Sequence, residues 1–152
     1  MADALILAGK GAQFSSSGEC GGVSAATNFE EMRTRQPITI CFSGCKTDSV
    51  CKPDGRTADP KILQDLILLS QFNLQYKVNS IATGSHGSVS AHYLGKAVDL
   101  APIPGAATTF LQLRDQMKAL NPSSLYIACE NNSLQVFASC GAGTTHVHVT
   151  YP

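Results

Sequence analysis

The clearest periodicity in the chain lies over residues 59–73, where Ile62, Leu63, Leu66, Ile67, Leu69 and Phe72 recur at helical spacing. Asp59 followed by Pro60 favours a helix start, because an aspartate caps the first free N–H groups and proline lacks only a hydrogen that would go unbonded there. This apolar face predicts the central buried helix. A second helical pattern begins at Thr108 or Thr109 and ends at Leu120, before Asn121-Pro122, since the residue preceding a proline disfavours helical backbone. A shorter helix is predicted over 28–35, capped by Thr27 or Asn28, with Pro37 beyond it. β-Branched or alternating stretches predict strands at 37–43, 74–83, 96–101, 125–129, 134–139 and 145–150. Residues 1–26 are rich in Gly, Ser and Ala and read as a linker or loosely held arm, tied down through Cys20; residues 27–152 read as a single domain. Helices first and a cluster of strands later give an α+β domain, an antiparallel sheet packed by two or three helices.

Composition narrows the function classes. With 11 basic and 11 acidic residues the formal net charge is zero, so there is no electrostatic case for nucleic acid or an anionic membrane surface. No apolar run approaches membrane-spanning length, so no membrane insertion by this domain is expected, and the segment Ala4-Leu5-Ile6-Leu7-Ala8 is too short for the core of an export signal. Six cysteines, at 20, 41, 45, 51, 129 and 140, point instead to disulfides and an oxidising compartment. The cluster Cys41, Cys45 and Cys51 lacks the spacing of a zinc knuckle, and residues 44–58 read as a disulfide-pinned loop. Cys129 and Cys140 flank the turn-like Glu130-Asn131-Asn132-Ser133, which suggests a bridge across a hairpin; the other four can pair in three ways. Disulfides without an export signal imply a domain excised from an exported or membrane-anchored parent, periplasmic or extracellular. Oligomeric state is not readable.

The chemistry concentrates in two patches that hold all four histidines. Ser90-x-His92-x-x-Gly95-x-Ala97-x-Asp99 sets an imidazole and a carboxylate seven residues apart, and Thr145-His146-Val147-His148-Val149-Thr150 supplies an i, i+2 pair. In a strand both imidazoles project from one face while Val147 and Val149 pack behind. Two histidines and one carboxylate leave a tetrahedral zinc with an open position, as in catalytic sites; structural zinc is closed by four protein ligands. A lone His-x-His is a weak signal, whereas the ten-residue motif is far more specific. Gly95 and Ala97 also have simpler roles as a turn and a small core residue.

These motifs resemble the zinc D-Ala-D-Ala metallopeptidases and their relatives, the lysostaphin-type and penicillin-insensitive murein endopeptidases and the amino-terminal domain of hedgehog proteins. The stretch from His86 to Asp99 is especially similar to the hedgehog version, and the resemblance covers roughly residues 80–150. It implies a zinc cleft on the sheet, His92, Asp99 and His148 as zinc ligands, and His146 and His86 beside the metal as candidate catalytic groups for proton transfer or oxyanion stabilisation. The implied activity is hydrolysis of an amide bond in the peptide moiety of peptidoglycan, of carboxypeptidase or endopeptidase type. The chain departs from the pattern in two places. Where some members carry a general-base glutamate this sequence has Ala142, and the nearest upstream acid, Glu130, would need a hairpin to return it to the site. Nor is there an Arg between Asn79 and His92, where many members hold a substrate carboxylate. The alternative is a catalytically inactive, zinc-stabilised binding module of the hedgehog kind.

Overall fold

The computed structural model describes residues 12–16, 23–40, 52–53, 56–83, 86, 89–123 and 126–152. Among them the elements run β1 (Ala12–Phe14), α1 (Ala25–Thr34), β2 (Thr39–Ile40), β3 (Lys52–Pro53), α2 (Pro60–Ser70), β4 (Tyr76–Ser80), a 3-10 turn (Ala91–Leu94), β5 (Ala97–Pro102), α3 (Phe110–Leu120), β6 (Tyr126–Glu130) and β7 (His146–Thr150). The architecture is α+β. Its main sheet has five strands in the order β1-β4-β5-β7-β6, and β2 and β3 form a separate pair. All neighbours in the main sheet are antiparallel except β1, which lies parallel to β4, so the sheet is mixed rather than purely antiparallel.

Each helix forms where its caps allow. Asp59 accepts from Lys61 N at the start of α2, and Ile62, Leu66 and Leu69 are fully buried; Phe72 falls past the helix end and is half exposed. Thr109 and Gln112 make a reciprocal capping box at α3, whose Leu113 and Met117 are fully buried. α1 begins earlier than its sequence suggests, at Ala25, because Ser24 and Thr27 form a capping box there. Two segments of the Gly/Ser/Ala-rich stretch are thus built into the fold. Phe14 of β1 stacks on Phe29 of α1 with ring centroids 4.1 Å apart, and Ala25 is fully buried.

One sheet face carries the core. Val98, Leu100, Val147 and Val149 are fully buried in a cluster with Ile62, Leu66, Leu113 and Met117. The alternate residues Asp99, His146 and His148 therefore project from the other face. Cys129 and Cys140 are bonded, with Cα atoms 5.3 Å apart. Residues 134–139 form no strand: only Val136 bridges to Glu130, and left-handed backbone at Leu134 (φ 60°) and Cys140 (φ 52°) prevents a continuous ladder. Residues 41–43 of the predicted strand at 37–43, most of the loop at 44–58, and Cys20, Cys41, Cys45 and Cys51 lie outside the described residues. Among the described residues no helix is long and apolar enough to cross a membrane.

Candidate metal centre

Strand register builds the floor of the site. Asp99 of β5 lies directly opposite His148 of β7, and a register shift in β4 sets Ser80 opposite Asp99 on the other side. His92 comes from the 3-10 turn, which Ser90 opens by accepting from His92 N at 3.3 Å and Gly95 closes at φ 67°. Gly95 has no substitute here, because a Cβ would lie 2.7 Å from Ile38 Cδ1 and 3.1 Å from Ala58 Cα. The loop leaving β4 is bolted down by Asn28, fully buried in α1, whose Oδ1 accepts from Ala82 N (3.0 Å) and whose Nδ2 donates to Thr39 O (3.0 Å).

The three side chains expected as ligands converge. His148 Nδ1 is 2.8 Å from Asp99 Oδ1, His92 Nε2 is 3.3 Å from the same oxygen, and the two nitrogens are 3.2 Å apart. The neighbourhood is wider than this triad: ligand atoms of His86, His92 and Asp99, and separately of Asp99, His146 and His148, lie within 4.8 Å of one another. A cleft of about 990 Å³ is lined by His86, Asp99, His146 and His148, while His92 lies buried beside it.

Hydrogen bonds assign the tautomers. His92 Nδ1 faces the Ile81 carbonyl at 2.7 Å, which can only accept, so Nδ1 carries a hydrogen and Nε2 is the nitrogen left to face the site, with a lone pair once the ring is neutral. His148 Nε2 meets Thr150 Oγ1 at 3.0 Å, leaving Nδ1 for the cluster. Thr145 Oγ1 donates to Asn132 Oδ1, so it accepts from His146 Nδ1 at 3.0 Å and leaves His146 Nε2 open, 3.8 Å from Asp99 Oδ1. Partnering the nitrogen that faces away from the centre is what orients imidazole ligands at metal sites.

Electrostatics concentrate negative charge on Asp99. Burial works against its ionised form, but His92, His148 and His146 around it hold its carboxyl well below the usual range. Burial also opposes charge on His92, and Asp99 more than offsets it, so His92 keeps a proton to higher pH than an ordinary histidine. His86 behaves oppositely: burial, with repulsion from His92, lowers it to about 4. Its ring stacks on His92 with centroids 3.9 Å apart, and its Nε2 faces Thr83 O (3.0 Å) and Ser80 Oγ (3.2 Å). A neutral imidazole anchored to a carbonyl supports His92 better than it donates protons.

Glu130 joins the site through the β6–β7 pairing, which sets it opposite His146. It is 6% exposed; its Oε2 lies 3.8 Å from His146 Nε2 and its Oε1 accepts from Tyr126 Oη at 2.6 Å. Tyr126 is pushed up to about 12 by burial and by that carboxylate. No signal in the sequence marked Tyr126, Ser80 or Thr150; only the strand ladder reveals them. Comparison of the chain with protein-family models, curated proteins and solved structures finds no match.

Proposed function

We propose that the chain is a zinc metallopeptidase acting on the peptide moiety of peptidoglycan. One observation carries the metal reading: His92 Nε2, His148 Nδ1 and Asp99 Oδ1 converge within 3.3 Å, Asp99 and His148 lining an accessible cleft and His92 fully buried beside them, with the outward nitrogen of each of the two imidazoles bonded to oxygen. Ligand atoms about 2.0–2.1 Å from a tetrahedral zinc lie roughly 3.3 Å from one another. Two of the three separations already match, and the 2.8 Å contact is a hydrogen bond that loss of the His148 Nδ1 hydrogen would open. The donor set therefore fits zinc. Zinc at such a site supplies Lewis acidity, polarising a carbonyl and acidifying water.

The chain's own residues supply the rest. His146 Nε2, open toward the cleft, accepts a proton and returns it to the leaving amine. Glu130 Oε2 stabilises the imidazolium between those events, and Tyr126 fixes Glu130 by occupying its other oxygen. Glu130 thus takes up, from the neighbouring strand, a charge that Ala142 cannot provide. His86 holds the His92 ring by stacking. The substrate class rests on the motif resemblance, and the Cys129–Cys140 disulfide fits the exported compartment where that polymer lies.

The test uses the zinc-loaded, disulfide-intact protein on purified peptidoglycan, following release of amino groups and identifying fragments by mass. New amines at defined positions, lost on chelation, are expected. Intact polymer across several wall chemistries would overturn the peptidase reading in favour of a zinc-stabilised binding module.

A further inference from the structure

Leu134 is unusual in two independent respects. It is 73% exposed, and its backbone sits at φ 60°, the left-handed region that glycine or asparagine usually fills at this position of a hairpin turn. The turn holds it there firmly. Leu134 N donates to Asn131 O at 2.9 Å, while Asn131 Oδ1 accepts from Ser133 N (2.9 Å) and Gln135 N (3.0 Å). Behind the turn, the Cys129–Cys140 bond and a hydrogen bond from Arg114 to the Ala138 carbonyl fix the loop base. A residue kept in a costly conformation by an over-determined surrounding points to a use for its side chain.

Position indicates the use. Leu134 lines the same cleft as Asp99, His146 and His148. Val89, 93% exposed, lines that cleft from the segment after β4. β4 and β6 flank the central β5–β7 pair, so the segments that carry the two residues leave strands on opposite sides of that pair. Between them the floor is polar, with two carboxylates and the imidazoles. Apolar rims over a polar floor suit an extended peptide whose backbone meets the floor while a side chain turns outward.

We infer that Leu134 and Val89 are opposing apolar lips that grip an aliphatic side chain of the peptide seated in the cleft. The inference rests on the peptidase reading for the identity of that peptide. It also accounts for a leucine where asparagine would suit the backbone better.

The experiment compares the zinc-loaded parent with Leu134→Asn and Leu134→Met, measuring melting temperature, sedimentation, and retention on insoluble purified peptidoglycan. Asparagine tolerates the left-handed backbone, so L134N should melt no lower than the parent, yet its retention should weaken about tenfold, the worth of a lost apolar contact of this size. L134M, which restores apolar surface, should recover most of the retention. Retention does not require turnover, so a parent that binds the wall without cutting it would sink the peptidase reading and leave the lips standing. Equal retention of parent and L134N overturns the lips, as does a parent that is not retained. A parent dimer that L134N makes monomeric overturns them too, assigning Leu134 to self-association.

Discussion

Glu130→Gln removes one charge and almost no volume, and it separates proton handling from metal holding. In the structure Glu130 Oε2 lies 3.8 Å from His146 Nε2, and both side chains are largely shielded, at 8% and 11% exposed. At an effective dielectric of about 20, opposite unit charges at that separation attract by about 4 kcal/mol. Water in the open cleft screens part of this, and roughly 3 kcal/mol of stabilisation of the His146 imidazolium is the working figure. Since about 1.4 kcal/mol is a factor of ten in rate, kcat on muropeptides should fall about 100-fold. Glutamine still accepts from Tyr126 Oη, so the strand pairing and the fold should survive. Zinc content should also be unchanged, because Glu130 is outside the convergent triad. The assay is steady-state amine release paired with metal analysis of the same sample. A variant with parental kcat, or one that loses zinc along with activity, would refute the assigned role.

Other consequences are sharp enough to test. His146→Ala should retain one zinc per chain and lose turnover, read by the same pair of measurements. In the metal-free protein, His86 should stay neutral down to about pH 4, visible as an unshifted ring signal in NMR titration. Because that value lies below the ordinary 6.5, the unfolded chain protonates first, so the His86 contribution to stability is full above pH 6.5 and is lost as pH falls toward 4; urea midpoints of parent and His86→Asn should therefore converge on acidification. His92 is shifted upward, so zinc must displace its proton, and zinc affinity measured by competition should rise with pH through the range just above 6.5. Gly95→Ala should destabilise by roughly 3 kcal/mol in urea unfolding, combining a left-handed backbone with the contact on Ile38.

What could be read from the sequence followed from how local the signal was. α2 and α3 carry their own caps and apolar periodicity, so helix type and position emerged without tertiary information. β7 was equally plain, because the alternation of His146, Val147, His148 and Val149 is itself the two-faced strand. Cys129 and Cys140 were readable as a pair because the turn between them is written in Asn131, Asn132 and Ser133. β1 is not legible in the sequence, because Ala12–Phe14 is too short to show a period and gains its stability from pairing with Tyr76–Val78. Residues 134–139 imitate a strand in composition, but the left-handed backbone at Leu134 and Cys140 comes from the turn network and the disulfide. Glu130 precedes His146 by 16 residues, and only the register of β6 on β7 makes them neighbours. Ser80 needed the shift in β4 register to face Asp99, which no side-chain pattern announces.

The central claim is that His92, Asp99 and His148 hold one zinc ion. Elemental analysis after dialysis against buffered zinc should find one equivalent in the parent, and Asp99→Ala or His148→Ala should lose it. A ligand's share of a zinc binding energy of about 10–16 kcal/mol is roughly 3 kcal/mol, a loss of about 150-fold in affinity. If His148→Ala still bound one zinc as tightly as the parent, the ligand assignment would be wrong.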